Sequence, residues 1–218
     1  MDTVKNANIA AKAANRSDLM SEKKEPQEKT DWKKSLVLYL HDVVYYLIII
    51  AVLFSLVFRV VVVSGTSMNM TLYNGDYLLL LSNTFYHEPQ HGDIVVISKE
   101  SFDNGTPIVK RIIATEGQVV DIDFVSGLVY VDGVALQEDY VNTPTNTSGA
   151  VAFPLTVPEG CVFVMGDNRN GSRDSRYVEI GMIDEREILG KAIFLFLPGT
   201  NTEQDPRPFD WSRTGVIG

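Results

Sequence analysis

The sequence predicts a mostly β domain behind one N-terminal transmembrane helix. Three observations carry that expectation. From Leu36 to Phe58 the chain is apolar apart from His41, Asp42, a few tyrosines and Ser55, and Val43 to Phe58 has no charge. At about 1.5 Å per residue this stretch makes a helix of about 35 Å, enough to cross a bilayer. After Arg59 the texture changes to short β-branched or apolar runs divided by turn signals, the pattern of many short strands. Finally, 45% hydrophobic content in 218 residues suits one span plus one soluble domain.

Taken in order, residues 1–34 read as a cytoplasmic flexible tail. The segment is polar, mixed in charge and poor in aromatics, with room for a short Ala-rich helix around Ile9 to Ala14. No apolar run starts early enough for a cleaved signal peptide. Residues 35–59 are the span. A buried core helix would show an apolar stripe, whereas here apolar residues occur all round. Lys29, Lys33 and Lys34 precede it closely and Arg59 follows it. The positive-inside rule then puts the N-terminus in the cytoplasm and residues 60–218 outside the plasma membrane.

The strands expected in that outer domain are Val60–Val63, Tyr77–Leu81, Ile94–Ile97, Pro107–Ala114, Val119–Phe124, Leu128–Val131, Val162–Met165 and Lys191–Leu197. Turn residues separate them: Tyr73 to Asp76, His91 to Asp93, Asp103 to Gly105, Ser126-Gly127 and Asp132-Gly133. Asn142 to Ala150 is a polar loop expected at the surface. The tail from Asn201 to Arg213 carries Trp211 and Phe209 as candidate lipid contacts. Net charge −9 argues against nucleic acid as a partner, since phosphate binding needs clustered Lys and Arg. Cys161 is the only cysteine, so no intramolecular disulfide forms. It lies in an apolar run and reads as a buried small hydrophobe.

Three stretches carry the chemistry. The first is Val60 to Leu72, where a β-branched run ends in Ser64-Gly65-Thr66-Ser67-Met68. A strand delivers the chain, a small-residue turn exposes the Ser67 hydroxyl, and Met68 follows as an apolar neighbour. A serine nucleophile needs a base. His41 belongs to the membrane segment, and His87 and His91 lie in a Pro-containing loop, so a Ser-His-Asp triad has only the latter two to draw on. The second stretch offers another base. In Ile108-Val109-Lys110-Arg111-Ile112, a strand puts Lys110 on the face of Ile108 and Ile112. Burial there disfavours the ammonium and lowers the lysine pKa, so a neutral amine becomes available. A snorkelling or salt-bridged lysine is the alternative on this segment alone.

The third stretch, Met165 to Arg176, is a dense polar loop leaving an apolar strand. Asp174 and Arg176 can pair and stiffen it, and Ser172 can hydrogen-bond a neutral lysine amine. A surface loop or a calcium loop would fit the same residues. His87-Glu88-Pro89-Gln90-His91 matches H-E-x-x-H, but that zinc chemistry needs both imidazoles one helical turn apart. Pro89 removes a helical hydrogen bond there, so no metal and no other cofactor is expected.

Together these stretches resemble the bacterial type I signal peptidases, or leader peptidases. Ser67-Met68-Asn69-Met70-Thr71-Leu72 is similar to the family's Ser-Met-x-Pro-Thr-Leu box. Gly92 to Val95 resembles its second box, Val109 to Ala114 its lysine box, and Gly190-Lys191-Ala192 its closing box. Gly166 to Arg176 matches Gly-Asp-Asn-Arg-x-x-Ser-x-Asp-Ser-Arg at every fixed position. The short stretch between Lys110 and Gly166 resembles the compact Gram-positive forms. Met70 stands where the family usually has proline, and Gly65 stands where some members have a serine that serves the oxyanion.

The resemblance implies a signal-peptidase-like β domain and a membrane-anchored serine endopeptidase. It would cut signal peptides from exported preproteins after a small residue. Ser67 would be the nucleophile and Lys110 the general base and then acid. Ser172 would orient Lys110, while Asp174 and Arg176 would support the loop. The Ser67 backbone N–H would hold the oxyanion, with Gly65 in doubt as second donor. Met68, Leu72 and Val109 would line the substrate pocket. Preproteins and the bilayer are the implied partners. The competing readings are a same-fold peptidase dedicated to a pilin-like precursor, an inactive membrane-tethered adaptor, and the zinc protease.

Overall fold

The computed structural model describes residues 32–199 and 209–217. The tail expected over residues 1–34 lies almost wholly outside them, as does its Ala-rich segment. The chain divides into two units, Met1–Ile49 and Ile50–Gly218. The helix α1 runs Trp32–Val57, and none of its residues is buried. By length and composition it can cross a membrane. β1 begins at Phe58 directly after it, so helix gives way to strand without a linker. Phe58 and Arg59, assigned from sequence to the span, belong to the strand.

Beyond α1, every strand pairing in the second unit is antiparallel. Its strands are β1 (Phe58–Val62), β2 (Tyr77–Ser82), β3 (Ile94–Ile97), β4 (Ile108–Ala114), β5 (Val119–Asp123), β6 (Leu128–Val131), β7 (Val134–Ala135), β8 (Leu155–Thr156), β9 (Cys161–Met165), β10 (Ile183–Asp184), β11 (Ile188–Leu197) and β12 (Gly215–Val216). The larger sheet has the order β1-β2-β11-β3-β4-β9-β10, with β12 on β11. The smaller has the order β7-β6-β5-β8. The β6–β7 hairpin turns through Asp132 and Gly133, both at positive φ (52° and 77°), as a two-residue loop whose twist matches its strands requires.

All eight expected strands are present, with ends shifted by up to three residues. The four that sequence misses are each two residues long (β7, β8, β10 and β12). Such pairs are too short to show alternation. β4 is buried along nearly its whole length because it lies between β3 and β9 with side chains packed on both faces. One apolar cluster joins Val63, Met68, Leu72, Leu78, Leu80, Ile94, Val96 and Val109. A second joins the small sheet to Ile113, Phe163 and Met165. A third centres on Val95, Ile97, Ile112, Val162 and Val164. Cys161 is only half-buried, packed at the margin of the second cluster. The loop 142–150 is largely exposed as expected, except for Thr145, which is buried.

Candidate active site

Ser67 sits in the turn that β1 feeds. The turn is closed by its own backbone: Asn69 N–H donates to Thr66 O (3.1 Å), and Leu72 N–H to Met68 O (2.9 Å). Its far end is fixed by Asp76, a fully buried carboxylate that accepts from Tyr73 N–H (2.8 Å), Gly199 N–H (2.7 Å) and Arg213 Nη1 (2.9 Å). Gly65, at φ +93°, occupies the left-handed region that favours glycine. Its N–H donates to Asn74 Oδ1 (3.0 Å). The Ser67 N–H has no acceptor among the described residues.

Lys110 comes from β4, opposite Val95 of β3. It is 3% exposed, and its Nζ donates to Ser67 Oγ at 2.8 Å and to Val109 O at 2.9 Å. Burial lowers its pKa from 10.5 to about 8, against the opposing pull of Asp174 and Asp167. A lysine in contact with a serine hydroxyl, and poised to lose its proton near neutrality, can serve as a proton acceptor.

The polar loop packs behind this pair. Asp174 and Arg176 are both fully buried and form a two-pronged bridge, Nε to Oδ1 at 2.8 Å and Nη2 to Oδ2 at 2.9 Å. Arg176 also donates to Thr147 O (2.8 Å) and Arg169 O (2.5 Å), and Asp174 accepts from Gly166 N–H (3.0 Å). The loop is thereby cross-braced within itself at Gly166 and Arg169 and fastened to the 142–150 loop at Thr147. Ser172 is buried against Gly166, where a Cβ would collide with both the Ser172 hydroxyl and the Ser67 carbonyl. Its hydroxyl makes no hydrogen bond among the described residues. The structure brings Ser172 beside the Ser67 turn but records no bond from it to Lys110.

Met68 and Leu72 are core residues, each at most 1% exposed, and Val109 keeps only 8%. They pack beneath the nucleophile turn rather than standing open as pocket walls. The His87 to His91 stretch is irregular, not helical, so its two imidazoles are not one helical turn apart. His91 Nδ1 donates to Ile113 O at 2.8 Å.

Residues 36–197 match the family described as signal peptidase, peptidase S26. The chain belongs to the signal peptidase family. "Probable signal peptidase I-1" of Synechocystis sp. is 36% identical over 170 residues, 72% of this chain and 83% of that protein. "Signal peptidase I" of Bacillus licheniformis is 32% identical over 180 residues, 79% of this chain and 94% of that one. A signal peptidase I crystal structure from Enterococcus faecalis is 34% identical and covers 48% of this chain and 97% of that chain, with a TM-score of 0.39. These relatives are named signal peptidase I, and membership of their family makes the chain a serine peptidase, a hydrolase. Its mostly β architecture, with a long apolar helix before it, is that expected from the apolar stretch and the short β-branched runs of the sequence.

Two supports of this signal peptidase site escape sequence reading. Asp167 takes a two-pronged bridge from Arg111 (2.9 and 2.8 Å) and the hydroxyl of Thr71 (2.5 Å). It therefore ties the nucleophile turn to β4. Arg169 bridges Glu138, with Nη1 to Oε2 at 2.6 Å, and also bonds Thr145 Oγ1 at 3.1 Å. Arg111 stacks over the Tyr140 ring, 3.9 Å from its centroid. Arg111 stands among apolar residues of its strand, the one available signal, whereas Arg169 lies in a loop already dense in polar residues. The partner of Arg111 lies 56 positions away and that of Arg169 lies 31 away, separations no local pattern spans.

Proposed function

We propose that this signal peptidase is membrane-anchored through α1 and works by a Ser67–Lys110 dyad. The observation that carries the reading is the 2.8 Å contact between Lys110 Nζ and Ser67 Oγ, with the amine buried and its pKa lowered to about 8. When Lys110 is neutral, its lone pair accepts the Ser67 proton as Oγ attacks the scissile carbonyl. The oxyanion so formed is held by the Ser67 N–H, which has no other acceptor in the described structure. The Lys110 ammonium then protonates the departing amine, leaving an acyl-enzyme. Lys110, neutral again, takes a proton from a water that attacks the acyl carbonyl, and its ammonium returns that proton to Ser67 Oγ as the acyl group leaves.

Ser172, buried beside Ser67 with its hydroxyl unpaired, is assigned to orient the Lys110 amine once substrate closes the site. Asp174 and Arg176 keep the loop beneath it rigid. β1 is the edge of the large sheet and leads straight into the Ser67 turn. An extended preprotein segment can pair with that edge by main-chain hydrogen bonds and bring its scissile bond to Ser67. Met68, Leu72 and Val109, packed into the core beneath the turn, are assigned to the floor on which small residues before the cut would rest. Lys33 and Lys34 precede the apolar stretch and Arg59 follows it, so the N-terminus is cytoplasmic and the β domain lies outside the plasma membrane.

The test is cleavage of an Ala-x-Ala preprotein in detergent by the wild-type chain, Ser67→Ala and Lys110→Ala. Cutting after the small residue by wild type alone supports the dyad. Full activity in folded Lys110→Ala would overturn it. External protease added to intact cells reports sidedness: a shielded β domain would reverse the orientation.

A further inference from the structure

We propose that Asn168 is a positioning residue for the oxyanion donor. It grips the carbonyls on both sides of Ser67. Its Nδ2 donates to Thr66 O at 3.1 Å and its backbone N–H to Ser67 O at 3.0 Å. The Thr66 carbonyl and the Ser67 N–H belong to one planar peptide unit and point in opposite directions. Fixing the carbonyl therefore fixes the line along which the N–H presents itself to a developing oxyanion. A hydrogen-bond donor aimed in advance costs no reorganisation when the charge forms. The side chain of one loop residue thus sets the aim of a donor that sequence reading assigns to the turn alone.

A second feature of the loop is built to the same end. Gly171 closes the turn with its N–H on Asn168 O at 3.0 Å. A Cβ at Gly171 would stand 2.5 Å from Asn168 Nδ2 and 3.0 Å from its Cγ. The missing side chain is the space the carboxamide occupies. Gly171 shows no positive φ, so alanine there is free of backbone strain and acts by pushing the carboxamide aside. Asn69 N–H also holds Thr66 O, at 3.1 Å, so loss of Asn168 loosens the peptide without releasing it.

This inference rests on the Ser67–Lys110 reading, and the experiment separates the two. Asn168→Ala, Gly171→Ala and Lys110→Ala are compared with wild type on a preprotein substrate, with thermal melts as the check on folding. For Asn168→Ala and Gly171→Ala, kcat is expected to fall about tenfold, a fraction of the loss when an oxyanion donor is deleted outright, with KM unchanged. Affinity for a substrate-like peptide aldehyde, whose hemiacetal oxygen needs the donor, should fall by the same factor. Affinity for an uncleavable peptide of the same sequence should hold. The ascending limb of the pH profile, set by Lys110, should stay in place. Unchanged kcat, or a loss shown in KM alone, overturns the proposal. So does a displaced pH limb, which would mean that Asn168 acts on the base. If Asn168→Ala does not fold, Gly171→Ala decides by the same readouts. Activity surviving in Lys110→Ala sinks the dyad, whatever the Asn168 variants show.

Discussion

Lys110 is the residue on which chemistry and stability pull apart. Its pKa lies near 8 in the folded chain against 10.5 when free, so the unfolded state binds more protons between those values. Stability contributed at this site therefore rises with pH from about 8 to 10.5, and the buried ammonium is a full penalty below about 8. At about 1.36 kcal/mol per pKa unit that penalty is about 3 kcal/mol. Lys110→Met should lose all turnover yet melt higher than wild type at pH 7, with the gap closing as pH rises. Wild-type kcat/KM should climb with pH to a plateau above about 8. A melt no higher than wild type, or a flat profile, contradicts this account. Gly166 makes a separate point at the same scale, because a Cβ there meets Ser172 and the Ser67 carbonyl together. Gly166→Ala should cut kcat roughly a hundredfold through misplacement alone, with circular dichroism unchanged.

Among the elements, the nucleophile turn depends on chain ends that sequence does not associate with it. Asp76 closes the turn and is held by Arg213, from the single 3₁₀ turn Trp211–Arg213 beside β12. Arg213 also lies over the Tyr73 ring, 4.5 Å from its centroid. Removing the guanidinium leaves a buried carboxylate without its counter-charge. Arg213→Met should cost about 3 kcal/mol and lower Tm by about 8 °C, read by a thermal melt. A melt within 1–2 °C of wild type, by the same scaling, would show that backbone donors alone satisfy Asp76. The polar loop follows the same rule. Asp174 and Arg176 were legible as a pair because they are two residues apart, whereas Arg111–Asp167 and Arg169–Glu138 close over long separations. Ser172 was legible as a member of the site by its place in the motif. Its unpaired hydroxyl came from packing, which sequence does not contain.

For the molecule as a whole, the proposed Ser67–Lys110 dyad needs none of the histidines. His87 and His91 lie in irregular chain, and His91 is engaged with a backbone carbonyl. Preprotein cleavage should accordingly be unchanged by 1,10-phenanthroline and by His87→Ala. Inhibition reversed by added zinc would restore the metal reading. The long strands were legible across the molecule because their β-branched runs and Gly-containing turns are local signals. The two-residue strands were not, since each exists only where a longer partner already lies.

Local chemistry determined the apolar helix, the long strands and the turn residues, and it marked Ser67, Lys110 and the Gly166–Arg176 loop as candidates, because each is written in neighbouring positions. Three-dimensional closure decided which charges face each other and which apolar side chains are floor rather than wall. It also decided which backbone groups are held and which are left free. Lys110 has a lowered pKa only because the folded chain buries its amine. The Ser67 N–H has no acceptor among the described residues, while Asn69 and Asn168 hold the Thr66 carbonyl of the same peptide unit. Desolvation and long-range hydrogen bonding are properties of the folded arrangement, and no window of sequence contains them.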